Sequence, residues 1–274
     1  MRKILFKTII CLITFSSYSQ DCSNIFFSEY IEGPGNNNAV EIYNPTSNII
    51  DLSNFSIRSY NNGSSSITSE LYLVGSIFPG QAIAIGNGQI DSVWIGSYWS
   101  LPVDITFNNL CGITCSGIYP TPMYFNGDDA LELYDNNILE TVDIIGRIGE
   151  DPGFAWTNDA TAGFTDANGG TWWTKRKTLV RKPNIKQGVK QNPSFFNPSL
   201  EYDSLPDATY SGMGSHSCNC LTNSVYNIIS NSADHTLFHN LINASGLDSL
   251  LNTNGPFTIF APTDNAINAL PQGT

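Results

Sequence analysis

No stretch of this 274-residue chain is apolar for long enough to cross a bilayer as a helix, which takes about 20 residues. The apolar run near its start, Thr8 to Phe15, is far too short. Charge is also scarce, at 13% of residues, with 12 bases against 24 acids. Helical proteins use more Ala, Glu and Lys, so this composition points away from an all-helical fold. There are only 3 histidines. His235 and His239 stand four apart in "HTLFH", without the Glu that metalloprotease chemistry needs after the first His. His216, in "GSHSC", is not part of a G-x-S-x-G elbow. No twelve-residue calcium loop is present, and Cys218-Asn-Cys220 has no matching pair at zinc-finger spacing. The chain is read as non-enzymatic, with no cofactor.

What is present begins with a leader. "MRKILFKTIICLITFSSYSQ" has a basic start (Arg2, Lys3, Lys7), a short apolar run and small residues at Ser17 and Ser19, which predicts a signal peptide over residues 1–19. Ile precedes Cys11 and Asp precedes Cys22, where lipoprotein processing needs a small residue, so no lipid anchor is expected. The predicted location is secreted or cell surface after leader removal. Without Arg2, Lys3 and Lys7 the 12 bases become nine against 24 acids, a net charge of −15. Export makes the remaining cysteines disulfide candidates. Cys111 and Cys115 enclose only "GIT" and suit a local bridge. Cys22 and Cys218 suit a staple joining the ends of a long region, which leaves Cys220 without a partner.

From Ile25 to about Ser217 the sequence alternates. "AVEIYNP" places Val40 and Ile42 opposite Glu41 and Tyr43, and "ALELYDN" places Leu131 and Leu133 opposite Glu132 and Tyr134. Period two predicts half-buried strands. Further strands are expected at 25–31, 55–59, 69–74, 82–85, 140–145 and 178–181, with loops near 61–66, 94–122 and 150–174. Asn126-Gly127 reads as a positive-φ hairpin turn. Many short strands separated by turns argue for a sandwich. From Asn223 the spacing becomes helical: Val225, Ile228, Ile229, then Leu237, Phe238, Leu241, Ile242, then Leu247, Leu250, Leu251, with Gly246 as a stop. Residues 257–260 read as a β segment. The organisation expected is a sandwich over 22–218, a linker at 219–222 and a second unit over 223–274.

Here the residues carry a resemblance. "FFSEYIEGPGNNNAVEIYNPTSNIIDLSNFSI", "FNGDDALELYDNNILETVDIIGRIGEDPG", "KTLVRKPNI" and "FFNPSLEYDSLPDATYSGMGSHSC" resemble, in order, a bacterial lamin-tail-like domain in its extracellular form. That resemblance implies an immunoglobulin-like β-sandwich, so the fold expected is mainly β. Such domains accompany nucleases, phosphodiesterases or adhesion modules. The terminal "GSH" fits the same pattern, which makes His216 structural; Trp156–Trp173 departs from it as an insertion. "TNSVYNIISNSADHTLFHNLINASGLDSLLNTNGPFTIFAPTDNAINALPQGT" resembles the first half of an α+β fasciclin domain, through its first motif, "FTIFAPTDNAI". This implies a truncated module whose chain continues in nature, with Leu237, Leu241 and Phe260 lacking partner strands.

The sharpest local anomaly is "KRKTLVRKPNIKQGVK", which holds seven of the nine bases left after leader removal: Lys175, Arg176, Lys177, Arg181, Lys182, Lys186 and Lys190. It reads either as a polyanion-binding strip or as charges guarding an edge strand. No aromatic interleaving suited to stacking bases lies within it. Asp128 and Asp129, with Glu29, Glu41 and Glu132, are weak calcium candidates, and Asx turns explain the aspartates equally well. Tyr98-Trp99 and Trp172-Trp173 stack on sugars or cap the core. The function expected is a secreted or cell-surface modular protein for adhesion or extracellular binding, its partner a matrix, cell-surface or polysaccharide ligand. The alternative is the substrate-holding portion of an extracellular hydrolase, such as a nuclease, whose catalytic domain lies beyond residue 274.

Overall fold

The structure, a computed structural model, describes residues 22–115, 119–166, 169–220, 224–253 and 258–271. The predicted leader lies outside them. The main strands are β1 (Phe26–Glu32), β2 (Asn38–Tyr43), β3 (Phe55–Tyr60), β4 (Ser69–Tyr72), β5 (Ala82–Gly86), β6 (Ile113–Thr114), β7 (Ala130–Asp135), β8 (Glu140–Ile145), β9 (Thr178–Arg181) and β10 (Tyr202–Leu205). They form a six-stranded sheet in the order β6-β5-β2-β1-β9-β10 and a four-stranded sheet in the order β8-β7-β3-β4. Neighbours are antiparallel except β6, which runs parallel to β5. The fold is mainly β, a two-sheet sandwich.

Phe27, Tyr30, Val40, Ile42, Ile85 and Leu179 of the larger sheet share one core with Ile57, Leu131, Leu133, Val142 and Ile145 of the smaller. A register shift between Phe27 and Glu29 explains how Phe27 and Tyr30, three apart, reach the same core. The insertion at 150–174 also feeds this core. Trp156 is buried there, edge-on to Phe196 at 5.6 Å, with its indole N–H donating to Glu150 at 3.2 Å.

The half-buried expectation for β2 is corrected. Every residue of Asn38–Tyr43 is buried. The outer face of the larger sheet is covered by chain remote in sequence: Val103, Phe107, Tyr210 and Met213 pack on Ile31 and Ala39, and Cys218 packs on Phe26, Tyr43 and Ala82. The turn expected at Asn126-Gly127 is present, closed by the Asp129 N–H on the Asn126 carbonyl at 3.3 Å, but its positive φ is corrected. Gly127 is not among the positive-φ residues; it is needed because a Cβ there would lie 2.5 Å from the Lys175 Cβ.

The disulfide expectations are corrected in both places. Cys22 pairs with Cys220, at a Cα separation of 5.7 Å, and not with Cys218. Cys218 is buried against Phe26 and Tyr43, while the turn at Asn219–Cys220 carries the next cysteine to the chain start. Cys111 and Cys115 are free because β6, between them, lies extended along β5. Four steps of extended chain hold Cα atoms roughly 13 Å apart, well beyond the reach of a bridge.

Beyond the sandwich lie four helices, α1 (Val225–Ser230), α2 (Thr236–Ser245), α3 (Asp248–Thr253) and α4 (Asp264–Asn268). Ser224 caps α1, Thr263 caps α4, and Gly246 ends α2 at φ +71°. Ile229, Ile242 and Leu251 form a small core with Phe238 and Ile259. Thr258–Phe260 is irregular and not a strand, and Phe257 lies outside the described residues. Leu241 and Phe260 are exposed, and Leu237 is half-buried.

One ion pair joins the two sheets. Arg181 of β9 and Asp143 of β8 are both fully buried and paired. Asp143 also accepts the N–H groups of Phe27 at 2.8 Å, Ile144 at 2.9 Å and Val189 at 2.7 Å. Arg181 donates to the Phe27 carbonyl at 3.0 Å and to Glu201 at 2.5 Å, between the rings of Phe26 and Tyr202. Removing one partner strands a buried charge, which costs about 3–5 kcal/mol. Asp143→Asn is therefore expected to lower the unfolding free energy from urea titration by that amount, with a lower midpoint, whereas exposed Lys190→Ala stays within about 0.5 kcal/mol. An Asp143→Asn midpoint equal to the parent's would show that the pair does not hold the sheets.

Candidate functional site

The seven bases of the 175–190 run do not form one strip. Arg181 is withdrawn completely, because its guanidinium is spent inside the core on Asp143 and Glu201. Its removal corrects the polyanion expectation at that position. Lys182 donates to the Ser199 carbonyl at 2.6 Å. Lys186 lies beside the Cys22–Cys220 bridge, where its carbonyl is 4.0 Å from Cys220 Sγ, and Lys190 is exposed elsewhere on the run.

Lys175, Arg176 and Lys177 do stay together. With Gly170, Thr171 and Trp172 they line an open cleft of about 410 Å³. Lys175 Nζ stands 4.8 Å from the ring centre of Phe154 and 5.4 Å from that of Trp172, two rings 6.1 Å apart and tilted by 54°. Asp166 fixes this arrangement: it accepts the Phe154 N–H at 2.6 Å, the Ala155 N–H at 3.3 Å and the Trp172 indole N–H at 2.7 Å. Beneath, Thr174 donates its hydroxyl to the Gly127 carbonyl at 2.5 Å and accepts the Trp156 N–H at 3.0 Å. Arg176 adopts φ +54°, which for a residue with a Cβ costs roughly 1–2 kcal/mol. Its N–H donates to Glu32 and its Nε to Asp207 at 2.7 Å, so Arg176 is tied down. The sequence reading missed Phe154 and Asp166, because the contacts that bring them to Trp172 cross a loop with no periodicity.

The calcium candidates do not converge. Asp129 accepts the N–H groups of Asn62 and Asn126, each at 2.9 Å. Burial, opposed by these hydrogen bonds, raises its pKa to about 6. Burial raises the Asp128 carboxyl as well. Glu132 lies on the other sheet with Tyr60, Thr141 and Arg58. Among the described residues no group of three or more His, Cys, Asp or Glu side chains is placed to hold a metal ion.

Glu29 and Glu41 face each other across β1 and β2. Glu41 accepts from Ser28 Oγ and from the Gly214 N–H, each at 2.6 Å, while Glu29 Oε1 is buried without a partner. Burial, and then the Glu41 charge, push Glu29 up to about 8. Above them His216 packs edge-on against Tyr43, with ring centres 4.9 Å apart. Burial, and then the Arg181 charge, hold its pKa near 4, so it is a neutral packing residue. Burial also pushes the thiols of Cys111 up to about 12 and Cys115 to about 11, which leaves them unreactive. His235 and His239 serve local contacts, to Ser232 at 2.7 Å and Tyr226 at 3.2 Å.

The 94–122 region holds a short hairpin, Val93–Trp94 with Trp99–Ser100. Its base is fixed by Gln89, whose amide donates to the carbonyls of Ser100 at 2.9 Å and Leu101 at 2.8 Å. Its tip is apolar and open to solvent: Trp94, Tyr98 and Trp99 are 53%, 59% and 61% exposed.

Residues 19–149 match the family described as Lamin Tail Domain, and residues 233–274 match the Fasciclin domain. Neither is a catalytic family. β9 and β10 lie beyond the first matched span. No curated protein matches the chain. A solved structure, that of a DUF4876 family protein from Bacteroides thetaiotaomicron VPI-5482, shares 11% identity over 72% of this chain and 75% of its own, with a TM-score of 0.36. Among the described residues no helix is long and apolar enough to cross a membrane.

The buried carboxyl pair has a measurable consequence. Folded Glu29 keeps its proton up to about pH 8, whereas the ordinary value for a free glutamate side chain is 4.5. Between those values the folded state binds more protons, so stability is fully present below the lower one and is lost as pH rises through the window. The urea midpoint is expected to fall from about pH 5 to about pH 8, and Glu29→Gln to flatten that slope. A variant with the parent's slope would remove Glu29 as its source.

Proposed function

Because the chain joins a lamin tail domain to part of a fasciclin domain, we propose that it is a non-enzymatic extracellular binding protein that works in adhesion. The leader at residues 1–19 sends it out of the cell. The sandwich runs over 22–218, and the second unit begins at 223 after a linker at 219–222. Its partner is a component of the extracellular matrix, a cell surface or a polysaccharide coat.

The observation that carries this reading is the aromatic hairpin at 93–100. Burial of one large apolar side chain contributes about 1.5–3 kcal/mol, so leaving three aromatic rings in water forgoes several such increments. A rigid base under an exposed Trp–Tyr–Trp tip is the composition of an interface core, where aromatic residues carry most of the binding energy. Three of the buried acids, in contrast, are occupied in structure: Asp143 by Arg181, Asp129 by turn amides, Glu132 by Tyr60 and Thr141.

The test compares retention of the full chain on bacterial cells and immobilised matrix proteins with turnover of DNA and phosphodiester substrates. Retention without turnover is expected, reduced about tenfold or more by Trp94→Ser together with Trp99→Ser. Turnover would favour the hydrolase reading, and neither retention nor turnover would leave a structural spacer.

A further inference from the structure

We infer that the cleft lined by Gly170–Trp172 and Lys175–Lys177, with Phe154 beside it, is a binding site for an acidic sugar unit, a pyranose ring bearing a carboxylate or sulfate, within an extracellular polysaccharide. This deepens the binding function proposed above and rests on it. The cleft's volume, about 410 Å³, lies within the roughly 300–1,000 Å³ of small-ligand sites.

Three features of the cleft select this chemistry. Phe154 and Trp172 present ring faces, and the negative face of an aromatic ring attracts the slightly positive C–H face of a pyranose. Both rings are open to solvent, at 60% and 39% exposure, and Asp166 fixes the indole of Trp172. The second feature is where positive charge remains unspent. Arg176 is neutralised by Asp207, and Lys175 is attracted to the Glu32 and Asp128 carboxyls without pairing with either, which leaves Lys177 as the base of the cleft facing no acid among the described residues. The Lys175 ammonium lies over the two rings, and Lys177 lines the same cleft. Neither forms an ion pair among the described residues. An ammonium beside an aromatic face is the complement of a ring that carries an anionic group at its edge. Third, the floor is built for proximity. Gly127 brings its backbone against Lys175 where any Cβ would collide, so the lysine stem is held at the rings.

The same features disfavour nucleic acid. Affinity for a phosphate backbone grows with the number of phosphates neutralised. This cleft offers two ammonium groups without an ion-pair partner among the described residues, too few to hold a run of phosphates, and a sugar with one anionic group needs no more.

The experiment titrates the full chain with short oligogalacturonate (carboxylate), a heparin-derived oligosaccharide (sulfate), a neutral cello-oligosaccharide and single-stranded DNA, read by tryptophan fluorescence and calorimetry. At least one acidic saccharide is expected to bind, and which one distinguishes carboxylate from sulfate. The neutral sugar and DNA are expected to bind about tenfold or more weakly. Trp172→Ala and Lys175→Gln should each cost about tenfold in affinity, while Trp94→Ser should not alter it. Lys175→Met, which keeps an unbranched apolar stem without the charge, should cost as much, so the loss would report the charge and not the fold. Equal binding of the neutral sugar, preference for DNA, or undiminished binding by the cleft variants overturns the site. So does failure of every probe, while retention on cells through the 93–100 hairpin would leave the adhesion reading standing.

Discussion

The sandwich closes around the Asp143–Arg181 pair. Facing sheets hold together mainly by apolar contact, which has no direction and permits sliding. The buried pair supplies the direction. Asp143 reaches from the edge strand of the smaller sheet and takes the Phe27 amide, and Arg181 takes the Phe27 carbonyl from the neighbouring strand. One residue of β1 is thus gripped at both backbone atoms by partners from different sheets. The grip lies beside the register shift at Phe27–Glu29, where the ladder between β1 and β2 is irregular. Buried pairs of this kind add less stability than their contact distances imply, because both charges are desolvated. Their value here is registry.

The cover that residues 210–218 lay over the outer face of the larger sheet follows from that closure. With β9 fixed, the chain after β10 returns across β1 and β2 and buries Glu29, Glu41, Phe26 and Tyr43. Two carboxyls then share a covered site, and one stays protonated where a surface acid would be ionised. The same return presents Gly214 to Glu41 and His216 to Tyr43, and ends at the bridge to Cys22.

The strands were legible in the sequence where alternation was strong. Glu140–Ile145 and Thr178–Arg181 stand at the residues read, and the "AVEIY" and "ALELY" segments are strands. The double burial of the "AVEIY" strand was not legible, because the covering chain comes from residues 103–107 and 210–218, far away in sequence. β10 had no clear alternation and was not anticipated. Arg181 looked like one more surface base, since charge in a run says nothing about which face of a strand it takes. Gly127 looked like a turn residue, yet its role is to let Lys175 approach. At the cleft, Trp172 and the three leading bases were legible, and Phe154 and Asp166 were not.

The bridge from Cys22 to Cys220 also changes how the sandwich responds to a pull. The two residues are 198 apart in sequence but only 5.7 Å apart at Cα. Unfolded and unlinked, such a stretch would pay out roughly 650 Å of chain. With the leader removed, only Gln20 and Asp21 precede Cys22, so a pull enters from the residues after Cys220, and the bridge passes it to both ends of the sandwich at once. A partner held at the 93–100 hairpin is then tied to that point by two arms of chain in parallel, and the shorter arm limits how far the sandwich can be drawn out.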